Sequence, residues 1–95
     1  MAVYETTVLT NRMPLRKLIT AAITGTLEDT LVFSQAMTRF VAHNTGTEPL
    51  TFSINGDPDL TDTLAAGEAI DDEFPEFDHV ILSGTVGSAY KVRVG

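Results

Sequence analysis

Apolar and polar side chains alternate with a period of two along several short segments of this chain, and no other feature limits its fold as strongly. That period puts successive side chains on opposite faces of a strand. In LTFSIN, Leu50, Phe52 and Ile54 share one face while Thr51, Ser53 and Asn55 share the other. AYKVRV sets Tyr90, Val92 and Val94 against Lys91 and Arg93 in the same way. Both read as half-buried strands, and their β-branched and aromatic content agrees with that reading. Further strands are expected over residues 3–10, 31–34 and 69–74. The segments RFVAHN and LTFSIN, separated by TGTEP, are expected to form a hairpin, with Gly46 and Pro49 marking the turn. HVILSG and AYKVRV, separated by TVGS, are expected to form a second.

LRKLITAAI, residues 15–23, fits two periods. Leu15, Leu18, Ile19, Ala22 and Ile23 have helical spacing, whereas Ile19, Ala21 and Ile23 alternate with Thr20 and Ala22 as in a strand. The short glycine-containing turn that joins this segment to LEDTLVF favours the strand. Seven to eight short strands at intervals of roughly ten residues then predict an all-β fold, an antiparallel β-sandwich or jelly roll. Tyr4, Phe33, Phe40, Phe52 and Tyr90 are expected in its core. The 95 residues make a single domain, 1–95, and residues 1–16 carry a basic stretch that could serve as a docking arm.

Charge divides the chain. Residues 1–47 hold four bases against three acids, and residues 48–95 hold two bases against ten acids, within a net charge of −7. Such a balance opposes a phosphate backbone, so nucleic acid is not an expected partner. No apolar run approaches the roughly 20 residues that cross a bilayer as a helix, so no membrane association is expected. There is no cysteine, hence no disulfide or thiolate chemistry. The first residues lack the pattern of a signal peptide, which predicts synthesis in a cytoplasm.

Chemistry-bearing patterns are sparse. The two histidines, His43 and His79, lie in strand segments, and no G-x-S-x-G elbow or phosphate-binding glycine loop is present. NGDPDLTD has the odd-position oxygens of a calcium loop in Asn55, Asp57 and Asp59, but Leu60 and Ala66 stand where the glycine and the bidentate glutamate belong. A surface turn explains it better. IDDEFPEFDHV concentrates five carboxylates around Phe74, Pro75 and Phe77. It reads as a solvated strand edge, since charges there discourage unwanted pairing, or as an edge that meets a basic neighbour. No catalytic residue, metal site or cofactor is expected, and the chain is not expected to be an enzyme.

FVAHNTGTEPLTFSING, followed by TLAAGEAIDDEFPEFDHVILSGTVGSAYKVRV, resembles the small β-sandwich accessory proteins of tailed-bacteriophage virions. ITGTLEDTLVF resembles the openings of phage structural β domains. The resemblance spans about residues 19–95. It implies a non-enzymatic structural protein of the virion, synthesised in the host cytoplasm, that decorates a capsid or joins a neck or tail. The implied partners are copies of itself, as a homo-oligomer, and a major capsid or tail protein. On that reading Phe74 and Phe77, held by Pro75, anchor an interface whose rim of Asp71, Asp72 and Glu73 faces Arg12, Arg16 or Lys17 of a neighbour. The two phenylalanines could equally close the domain's own core. The alternative is a carbohydrate- or host-surface-binding β-sandwich module.

Overall fold

One long strand changes its inward phase halfway along, and the rest of the architecture follows from that. The computed structural model describes residues 2–6, 17–23 and 28–95. Its strands are β1 (Ala2–Thr6), β2 (Lys17–Ala22), β3 (Glu28–Asn44), β4 (Leu50–Ile54), β5 (Thr61–Leu64), β6 (Ala69–Ser83) and β7 (Ala89–Val94), with a single 3-10 turn at Pro58–Leu60. In β3, Leu31, Phe33 and Met37 are buried at odd positions, and Phe40, Ala42 and Asn44 are buried at even ones. An unpaired residue flips every later side chain to the other face of a strand. Here the flip coincides with register shifts between Val32 and Met37 and between Met37 and Arg39 in the pairing of β3 with β6.

The fold is all-β. Its seven strands form one hydrogen-bonded sheet in the order β2-β7-β3-β6-β4-β5, antiparallel throughout except that β1 lies parallel to β3. Two strands are longer than expected, β3 at 17 residues and β6 at 15. The first half of β3 pairs with β1 and the second half of β6, which also carries β4. The second half of β3 pairs with β7 and the first half of β6. Each long strand therefore passes from one layer of the sandwich to the other at the irregular segment, a standard way of turning a corner between packed sheets.

Contacts between the layers confirm this. Phe40 of β3 meets Phe52 of β4 with ring centroids 5.2 Å apart, although β6 separates their strands in the sheet. The Tyr90 hydroxyl on β7 donates to Asp29 on β3 at 2.8 Å, inside the core. Phe33, Phe40, Phe52 and Tyr90 are buried as expected, while the Tyr4 side chain lies outside the described residues. Residues 17–22 of the ambiguous segment form a strand, with Ile19 and Ile23 in the core.

Neither expected hairpin forms. β3 pairs with β6 and β7, and β4 with β5 and β6, so residues 45–49 arch from one layer to the other. Residues 84–88 do the same between β6 and β7. Turn residues signal a reversal of direction but not which strand the returning chain will meet. The two arches lie against each other. Thr45 donates its N–H to the Ala89 carbonyl at 3.0 Å and Thr47 to that of Gly87 at 2.8 Å. A Cβ on Gly46 would sit 2.6 Å from the Ala89 nitrogen, so only glycine allows this approach.

Asn44, fully buried, locks the junction: its amide donates to the Glu48 and Leu64 carbonyls at 2.8 and 3.0 Å, and its oxygen accepts from the Gly46 N–H at 3.0 Å. Orphaning buried backbone groups costs about 1–3 kcal/mol each. Asn44→Ala should therefore lower unfolding free energy by about 2–4 kcal/mol in urea titrations. Gly46→Ala, which forces backbone apart, should cost at least as much.

Candidate protein-binding seam

The first half of β6 is an edge. β4 covers only Val80, Ile81, Leu82 and Ser83, so among the described residues no strand pairs with the other side of residues 69–76. Pro75 lies in this stretch and has no N–H to offer. Asp72 accepts the N–H of Glu73 through its own Oδ1 at 2.9 Å. On β5, the terminal strand of the sheet order, Asp62 accepts the N–H of Thr63 in the same way at 2.8 Å. Both edges thus carry an aspartate that occupies the next backbone donor, which together with the exposed carboxylates discourages strand addition.

Alternation on β6 splits its side chains. Asp71 and Glu73 lie on the outer face, in register with Val41 and Arg39, whereas Ile70, Asp72 and Phe74 face the gap between the layers. Across that gap lie Asp59 and Leu60 of the 3-10 turn and Thr61 and Asp62 of β5, with Phe52 below. Together they bound a cleft of about 200 Å³. Its floor is apolar and its rim carries three aspartates. Phe74 is partly buried and meets Phe40 edge-on at 6.4 Å.

The loop before β5 is held in place from β6. Asn55 and Gly56 have positive φ, at 57° and 68°, as an Asn-Gly turn favours. The Asn55 side chain accepts the Asp78 N–H at 3.1 Å and donates to the Glu76 carbonyl at 3.2 Å. Asp57 caps the 3-10 turn by accepting from the Asp59 N–H at 2.9 Å. The oxygens that resembled a calcium loop are thus committed to separate backbone groups. Among the described residues no group of three or more His, Cys, Asp or Glu side chains is arranged to hold a metal ion.

Phe77 is corrected outright as an interface anchor. It is 1% exposed and packs against Phe33 and Phe40 in the core. Phe74 and Asp72 border the cleft, and Pro75 is exposed on the edge. Asp71 is engaged within the chain, in a bidentate pair with Arg39 at 3.0 and 2.8 Å. Glu73 is exposed in register with Arg39. Arg12 and Arg16 lie outside the described residues, and Lys17 begins β2 opposite Val94, separated from β6 by β7 and β3. The rim residues Asp59, Leu60 and Asp62 are absent from the expected site. Their acidic loop and IDDEFPEF are brought together only by the sandwich.

The hydrogen bond from Arg39 holds the Asp71 carboxyl below its ordinary range, and Asp71 in turn raises the Arg39 guanidinium. A carboxylate depressed in the folded state stabilises above its unfolded pKa, and that contribution disappears as pH falls through the depressed value. The pair is half exposed, so its effect on stability is small. In an NMR titration, Arg39→Gln should return Asp71 to the ordinary aspartate range with little change in melting temperature. Phe77→Ala should cost about 3–5 kcal/mol, and Phe74→Ala markedly less.

No family model matches the chain, and no curated protein matches it. Among solved structures it is similar to PliG from Aeromonas hydrophila, a periplasmic lysozyme inhibitor of g-type lysozyme. The two share 10% sequence identity and a TM-score of 0.54, over 99% of this chain and 98% of that one. The likeness is one of fold. It overturns the expected role as a structural virion protein bound to a capsid or tail protein, and the expected virion location: the same architecture, end to end, belongs to a periplasmic inhibitor. The alternative of a sugar-binding face fares no better. Val86 is the one large hydrophobic that is exposed among the described residues, so no aromatic platform is presented.

Proposed function

We propose that this chain is a non-enzymatic binding protein that recognises a basic protein surface through the seam between β6 and β5. The observation that carries the reading is the cleft itself, with its floor of Phe52, Leu60, Ile70 and Phe74 and its rim of Asp59, Asp62 and Asp72. At about 200 Å³ it falls below the usual size of a small-molecule pocket, roughly 300–1,000 Å³, and suits a single long side chain. Lysine and arginine lay an alkyl stem along apolar surface and keep the charged head at a polar edge. The cleft is complementary to both parts.

Surrounding charge supports the same direction. Glu68, Glu76 and Asp78 are exposed in addition to the acids of the seam, and a field of one sign speeds encounter with the opposite sign. The capped edges disfavour recognition by strand addition, which leaves side-chain contacts as the means of binding. The fold likeness to an inhibitor of a lysozyme is in keeping with a binding role and makes a g-type lysozyme the first partner to test.

Calorimetric titration against a g-type lysozyme and a panel of other basic and acidic proteins tests this. Binding should favour basic proteins and weaken as salt rises. Asp62→Lys combined with Asp72→Lys should weaken it by roughly tenfold or more, with the melting temperature checked to show that the variant folds. If no basic protein binds at low salt, or if the charge-reversed variant binds as well as the original, the proposal fails.

A further inference from the structure

The outer face opposite the seam carries a charge arrangement that repeats on rotation. At the level of Val41, the register places Arg93 of β7 on one side and Asp71 of β6 on the other. One level along, His43 has Lys91 beside it on β7 and Ala69 on β6. Val41, His43, Lys91 and Arg93 line a shallow depression of about 310 Å³. Lys91 and Arg93 are exposed, and among the described residues neither is ion-paired within the chain. In a chain of net charge −7, this face runs from positive through apolar to negative across three adjacent strands.

We infer that this face binds the same face of a second copy of the chain, about a two-fold axis running along β3 at Val41. Rotation about an axis parallel to the strands exchanges the β7 side with the β6 side and keeps each residue at its level. Val41 then meets Val41 of the second copy. Arg93 lies over Asp71 of that copy, and Asp71 lies under its Arg93, so each row is satisfied twice. An axis across the strands would instead set β7 on β7 and oppose cation to cation. The contact is isologous and closes as a dimer.

Its size sets its strength. Four strands about 4.8 Å apart, each contributing about five residues at roughly 3.3 Å, give a footprint on the order of 300 Å². That is at the small end for a specific interface, so the dimer is weak and reversible. The seam residues Ile70, Asp72 and Phe74 point away from this face, so dimerisation leaves both seams open and presents two of them together.

Sedimentation velocity over a wide range of protein concentration tests the inference. The wild-type chain should pass from monomer to dimer. Arg93→Glu and Asp71→Lys should each raise the dissociation constant by roughly tenfold or more, because each turns two attractions into two repulsions. Mixed in equal amounts, the two variants should dimerise again, since one row is then native and the other is charge-swapped. Circular dichroism of each variant shows that it folds. A wild-type chain that stays monomeric throughout overturns the inference. So does a dimer indifferent to both substitutions, or a mixture of the two weakened variants that fails to recover.

Discussion

The interlayer crossing of β3 depends on a single constraint, that its inward side chains move from odd positions to even ones between Met37 and Phe40. A regular strand of 17 residues would bury one half of its apolar side chains and expose the other. The shift in register lets both halves face a common core, and β6 follows because it pairs with β3 along most of its length. Once the two strands bend together, β4 is carried over β7, and Phe40 and Phe52 become neighbours. The core is therefore continuous across one folded sheet.

The bend also makes the seam. β4 can follow only the second half of β6, which leaves the first half without a partner strand among the described residues and turns Ile70, Asp72 and Phe74 toward the opposite layer. The acids there serve two ends. On the backbone side, Asp72 and Asp62 occupy donors that another strand would need. On the cleft side, they ring an apolar floor. Solubility and recognition are thus met by the same residues, which is why the stretch cannot be assigned to one purpose from its composition.

What could be read in the sequence was local. Strict alternation in LTFSIN and AYKVRV located β4 and β7, and the aromatic residues of the core followed from their phase. The change of phase within β3 was also written in the chain, in the spacing of Phe33, Met37 and Phe40, but a run of exposed Ser34, Gln35 and Ala36 resembles a strand end as much as a bulge. Pairing was not local. TGTEP and TVGS look like hairpin turns, and only the packing of Gly46 against the second arch shows that they cross between layers. The seam was half legible for the same reason: Asp72 and Phe74 stood out, but Asp59 and Asp62 join them from a loop whose Asn-Gly turn gave no hint of the contact. The association of Asp71 with Arg39, 32 residues away, likewise depends on register.

The stacked arches bear on how the chain reaches this state. β4 and β5 are the one pair of strands consecutive in sequence that also pair with each other. Every other ladder joins distant segments, so the loss of chain entropy comes before most of the contacts that offset it. Asn44 can make its three bonds only after the chain beyond residue 64 has returned, and Gly46 meets its neighbour only after residue 87 has done so. The junction is thus among the last parts to close. A domain wired in this way folds slowly for its length, and its β4–β5 hairpin stands ready long before the rest of the sheet.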